Sequence, residues 1–247
     1  MRERTYKEFG EILKAISDTH RLCSFREALS RKEFIVLRHD VEFSVGKAVK
    51  MAEIENAAGV KSSYFIQLKS EAYNAFSENN IKMIQKIQGM GHEIGLHYRQ
   101  QGKKDAERQI EKQINEMEQE YGFPIELFST HRPRKETAYE KYQIAGKINA
   151  YSEDFFTKTE EIDKIKVKYI SDSGFNWKYG YPSLQELLSY KRTQILIHPF
   201  QWAEKPISVT ECYDSLLTEK IKQTKETYIR ESKILQGETN GRKTMEI

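Results

Sequence analysis

The sequence predicts an α/β protein with parallel strands, folded as one domain. Three observations carry that prediction. Short apolar runs alternate with longer stretches of helical periodicity from Phe34 to about Trp202. Glycines stand where the helical stretches should stop, at Gly59, Gly91 and Gly122. The residues able to carry chemistry fall at the C-terminal ends of the predicted strands, where parallel sheets and barrels collect their sites. With 247 residues the chain is long enough to bury one large core without cross-links.

Taken in order, residues 1–33 form a helical N-terminal extension, and residues 34–37 are apolar enough for a buried strand. Ser44 caps a helix through 58 that Gly59 stops. Residues 62–66 make a second strand, 77–90 a helix stopped by Gly91, and 93–97 a third strand. The charged stretch 104–121 is helical, and Gly122-Phe123-Pro124 ends it. Further strands are expected at 125–129, 148–151, 167–171 and 194–197. The central region 34–208 thus carries the strand–helix alternation of the α/β body. Residues 209–247 supply a polar C-terminal helix and a tail, expected to belong to the same domain.

Composition excludes several classes. Lys and Arg number 40 against 37 Asp and Glu, a net charge of +3, so there is no general electrostatic case for nucleic acid or an anionic surface. The two cysteines, Cys23 and Cys212, do not suggest a disulfide framework. No apolar run reaches the ~18–20 residues that a membrane span requires. None follows Met1-Arg2-Glu3-Arg4-Thr5-Tyr6 as a signal peptide would, so the expected location is the cytoplasm.

Five strand ends carry polar groups where turn or apolar residues would serve. They read Arg38-His39-Asp40-Val41-Glu42, Gly91-His92-Glu93-Ile94-Gly95-Leu96-His97, Ser129-Thr130-His131-Arg132-Pro133, Ser171-Asp172-Ser173-Gly174 and Leu196-Ile197-His198-Pro199. Side chains alternate faces along a strand. Asp40 and Glu42 therefore share a face with Arg38, whereas His92 lies an odd number of residues from His97 and should face away from it. Taken singly, each group has an ordinary reading: Asp40 or Glu42 as a cap for the helix after Ser44, Asp172 as a turn residue, Trp177 and Trp202 as core. Taken together at one barrel mouth, they point to a functional site.

These motifs, in this order over about 34–202, resemble those of the polysaccharide deacetylases, carbohydrate esterase family four. The nearest branch carries an Arg-His-Asp-Val-Asp signature and is often associated with surface-polysaccharide biosynthesis. The resemblance implies an irregular (β/α) barrel of the glycoside hydrolase/deacetylase type. It implies a hydrolase that uses one divalent metal ion, zinc, to remove an N- or O-linked acetyl group from an acetylated sugar, nucleotide sugar or glycan. By the same resemblance Asp40 is the base, Arg132 pairs with it, His198 is the acid and Asp172 supports that acid, while His97 is a metal ligand. Trp177 and Trp202 are candidates to stack on a sugar ring. The family's second metal histidine stands four residues after the first, and that position here is Gln101. The carboxylate ligand's place is taken by Glu42. His131 is the available replacement, giving a Glu42, His97 and His131 set with an open position for water. Gln101 supports one alternative, an inactive carbohydrate-binding homologue, and the cytoplasmic expectation leaves open a second, a metal amidohydrolase acting on a small non-sugar amide.

Overall fold

The computed structural model of the chain describes residues 3–100, 105–133, 139–159 and 161–236. Gln101 lies outside the described residues. The chain divides into two compact units, 1–206 and 207–247.

In the first unit, helix α1 (Tyr6–Ser17) and the single turn α2 (Phe25–Ala28) precede strand β1 (Phe34–Val41). Then follow α3 (Val45–Ala57), β2 (Ser63–Ile66), α4 (Glu78–Gly89), β3 (Glu93–Tyr98), α5 (Ala106–Tyr121) and β4 (Leu127–Thr130). The remainder is β5 (Ile148–Asn149), β6 (Lys168–Ser171), α6 (Leu184–Leu188) and β7 (Arg192–Ile197). The helix starts follow their capping side chains: Ser44 Oγ accepts from Lys47 N at 3.1 Å, and Ser77 Oγ accepts from Asn80 N. Gly59, Gly91 and Gly122 all take positive φ just past helix ends, as expected from the sequence. The fourth strand begins two residues later than expected, and the fifth is only two residues long.

All seven strands pair in parallel, in the order β5-β4-β3-β2-β1-β7-β6. In a flat sheet β7 and β5 would stand about 24 Å apart, at ~4.8 Å per strand. Yet Gln194 of β7 donates from Nε2 to the carbonyl of Ala150, just past β5, at 3.0 Å. The sheet is therefore curled into an irregular β/α barrel, with β5 and β6 as its two edges.

The strand period sorts each side chain in or out. Phe34, Val36, Phe65, Leu127 and Ile148 fill the interior with Phe25 and Phe155. On the outside, Ile35, Leu37, Ile195 and Ile197 meet Phe9, Ile12, Leu13 and Ile16 of α1. Residues 6–17 are thus part of the barrel's packing. Gly95 is required by close approach: a Cβ there would lie 2.8 Å from Phe65 Cδ1 and 3.0 Å from Leu127 Cβ.

The second unit contains α7 (Val209–Glu231), opened by a capping box of Ser208 and Glu211. No helix among the described residues is long and apolar enough to cross a membrane.

Candidate metal and acid–base site

The inward register of β1 is Phe34, Val36, Arg38 and Asp40, continuing to Glu42 just past the strand. Arg38 is fully buried, which demands a paired counter-charge. It grips Asp40 through two bonds, Nε to Oδ1 at 3.0 Å and Nη2 to Oδ2 at 2.8 Å, and Nη1 donates to Gln194 Oε1. Burial opposes ionisation of Asp40. The Arg38 charge, aided by His198, outweighs it and holds the carboxyl below the usual carboxylate range.

Glu42 lies between two imidazoles from neighbouring strands. His97, near the end of β3, and His131, just past β4, bring Nε2 and Nδ1 to 3.1 Å from each other. Glu42 Oε1 is 2.9 Å from His131 Nδ1 and 3.6 Å from His97 Nε2. Burial again opposes the charge on Glu42, but hydrogen bonds from His131 and His97 hold its carboxyl far below the ordinary range. Burial keeps the pKa of His97 low despite Asp40 and Glu42, so its imidazole is neutral, the form that ligates metal.

This trio fits a divalent ion. Among the described residues, Glu42, His97 and His131 form the group whose ligand atoms all lie within 4.8 Å of one another. Tetrahedral zinc with ~2.0–2.1 Å bonds sets its ligand atoms about 3.3 Å apart, and the three observed separations bracket that value. His97 is also oriented from behind: its Nδ1 lies 2.8 Å from Ser129 Oγ, leaving Nε2 toward the cluster. Loss of such an outer partner commonly costs tenfold or more in affinity. Ser129→Ala is accordingly expected to weaken zinc binding about tenfold, read by competition with a chromogenic chelator. Unchanged affinity would remove Ser129 from the site.

The third component enters from β6 and β7. Asp172, fully buried just past β6, accepts from His198 Nδ1 at 2.6 Å, from the His198 backbone N–H at 3.1 Å, and from Trp202 Nε1 at 3.0 Å. The opposite nitrogen, His198 Nε2, is 3.9 Å from Glu42 Oε1. Burial would lower the pKa of His198, but Asp172, with Glu42 and Asp40, raises it to about 9.

Asp40, Glu42, His97, His131, Asp172 and His198 are thus brought together at the C-terminal end of the sheet. Three expectations are corrected. The guanidinium on Asp40 belongs to Arg38, while Arg132 is exposed with a positive φ of 45°. A residue two positions away on one strand face is better placed for that bond than a loop arginine. Trp202 is 0% exposed and donates to Asp172, so it cannot stack on a sugar; it props the His198 partner instead. Trp177 is half-buried against the α1-side core, 6.3 Å from Trp202 between ring centroids, which gives it a packing role. His92 lies apart from the cluster, bonded to Ser62 and to the carbonyl of Ala52, as its strand parity required. Sequence reasoning missed Ser129, although it shares the inward parity of His131.

No family model matches the sequence, and no curated protein does. Solved structures of carbohydrate esterase family four align with it. A family-four pseudoenzyme from Bacillus anthracis is 15% identical with a TM-score of 0.39, covering 78% of this chain and 62% of its own. A mutant of a family-four pseudoenzyme with restored activity is 15% identical, covering 79% of this chain, with a TM-score of 0.40. This chain spans 64% of that mutant's length. The chitin deacetylase of the fungal pathogen Colletotrichum lindemuthianum is 14% identical with a TM-score of 0.41, covering 75% of this chain and 81% of its own.

Proposed function

We propose that the chain is a metal-dependent hydrolase that removes an N- or O-linked acetyl group from a carbohydrate. The observation that carries this reading is the meeting of three groups at one barrel mouth: the Glu42, His97 and His131 trio, an Asp40 kept ionised by Arg38, and a His198 kept protonated by Asp172. A base, an acid and a divalent-ion site within a few ångströms are what acyl-group hydrolysis requires. The carbohydrate assignment rests on the five ordered motifs. Acetylated sugars, nucleotide sugars and glycans are the substrate class, in surface-polysaccharide biosynthesis within the cytoplasm.

Glu42, His97 and His131 would hold the ion, zinc by its ligand types. When bound, such an ion polarises an acyl carbonyl and lowers the pKa of water. The chain's own residues supply the remainder. Asp40 takes the proton of the attacking water on an oxygen; Arg38 uses one acceptor site on each, and a carboxylate offers others. His198 keeps Nδ1–H on Asp172 and so presents Nε2–H to the departing nitrogen or oxygen. Glu42 and His131 remain partly open to solvent, 13% and 11% by side chain, which leaves an approach for substrate.

The test joins elemental analysis to activity. Purified chain is expected to bind one zinc, and His97→Ala and His131→Ala should each lose it, together with deacetylation of an acetylated sugar panel. Retention of full metal by His131→Ala would remove His131 from the ligand set. A metal-loaded chain that cleaves small cyclic amides but no acetylated sugar would overturn the substrate class and favour the amidohydrolase alternative.

A further inference from the structure

Gln67 is a buried amide that the fold satisfies on one side only. It stands one residue past β2 and is 4% exposed. Its Nε2 donates to the carbonyl of Lys69 at 3.4 Å, and its backbone N–H donates to the Tyr73 hydroxyl at 3.1 Å. Its Oε1 has no hydrogen-bond partner in the protein. An unpaired buried acceptor carries the full cost of leaving water, and in a native fold it points to a bound water or ion.

Register sets that amide beside the candidate site. Phe65, two residues earlier, faces the barrel interior and pairs with Asp40 on one side and Gly95 on the other. Two residues further along the three chains stand Glu42, Gln67 and His97, on the same inward register. The loop after β2 holds that alignment. The Tyr73 hydroxyl donates to the carbonyl of Val41 at 2.7 Å, and Ser70 Oγ donates to that of Glu42 at 3.0 Å. Gln67 thus stands between a carboxylate and an imidazole of the trio. Other unpaired buried atoms among the described residues do not: His39 Nδ1, Thr130 Oγ1 and Thr193 Oγ1 belong to the outward registers of Leu37, Phe128 and Ile195. An amide oxygen only accepts. The ionised Glu42 has no proton to give it, and neither imidazole bonds to it. The donor left is a water, and a water at the open position has two protons. Asp40 is placed to accept one of them.

We infer that Gln67 is a positioning residue of the ion site, whose Oε1 accepts the second proton of a water at the open position and so fixes the orientation of that water. The inference rests on the metal-dependent reading above. Its test is zinc affinity of the full chain, measured by competition with a chromogenic chelator. Gln67→Met keeps the reach of the side chain and removes the acceptor. It should weaken zinc binding about tenfold and lower turnover with KM little changed. Gln67→Glu keeps an acceptor at the same reach but loses the N–H that ties to Lys69, and it should hold the parent's affinity. Equal weakening in both variants would assign Gln67 to the loop tie alone and overturn the inference. Unchanged affinity in Gln67→Met would overturn it as well. Far-UV circular dichroism of the metal-free variants should match the parent. Gln67→Leu, which also lacks the acceptor, gives the same comparison should Gln67→Met lose its fold. A parent that binds no zinc would defeat the site itself, whereas a zinc-binding parent matched by Gln67→Met would defeat only the role of Gln67.

Discussion

Asp40→Asn is expected to lower deacetylation turnover by about a hundredfold or more, the scale on which a positioned acid–base group acts. The substitution changes almost no volume, so the barrel mouth keeps its shape. What it removes is charge. Asp40 is ionised because Arg38 grips both of its oxygens at 3.0 and 2.8 Å, and a carboxamide neither attracts that guanidinium as strongly nor accepts a proton at neutral pH. The same change leaves Arg38 buried beside Gln194 and Tyr151 without a counter-charge. Stripping one partner from a buried pair costs about 3–5 kcal/mol, so the melting temperature must be followed beside the rate. Assays well below the melting point separate the two losses. Zinc content should be retained, because Asp40 is not one of the Glu42, His97 and His131 trio and both of its oxygens are engaged by Arg38. A folded, zinc-loaded Asp40→Asn protein that turns over within a few-fold of the parent would dismiss Asp40 as the base.

Much of this site was legible in the sequence because strand parity is a strict rule. Arg38, Asp40 and Glu42 had to share a face, and so did Glu93, Gly95 and His97, once 34–41 and 93–98 were read as strands. Glu42 and His131 joined His97 as expected from the absence of a histidine at Gln101. The failures lie where position depends on the loops. Arg132 follows His131 directly, yet its positive φ turns it to solvent. Aromatic residues carry no sign of which side they bury, so Trp202 read equally well as core or as platform. Its indole bond to Asp172 settles the matter only in three dimensions. The same holds for barrel closure: a two-residue β5 and the Gln194 bridge to Ala150 leave no periodic trace.

His198 should titrate near pH 9 in the metal-free protein, and Asp172→Asn should bring it back toward ordinary imidazole values. The pKa is raised against burial, because Asp172 Oδ1 sits 2.6 Å from Nδ1, with Glu42 and Asp40 adding to the field. A raised folded-state pKa means that the protonated ring is favoured by folding. That stabilisation is fully present below the unfolded value of about 6.5, and it is lost as pH rises through about 9. Asn at 172 can still accept from Trp202 or from the His198 backbone, but it carries no charge to hold the imidazolium. The alkaline limb of the rate profile should therefore move to lower pH, with a smaller loss at pH 6 than at pH 8. His198→Ala has no ring to titrate and should lose about a hundredfold or more across the whole profile, with zinc still bound because His198 is outside the ligand trio. Two-dimensional NMR of the histidine rings gives the titration directly, and the pH–rate profile gives the consequence. If His198 titrates at an ordinary imidazole value in the parent, or if His198→Ala keeps both its rate and its alkaline limb, then another group is the acid. In that event the segment Leu196-Ile197-His198-Pro199 would be only the end of a barrel strand.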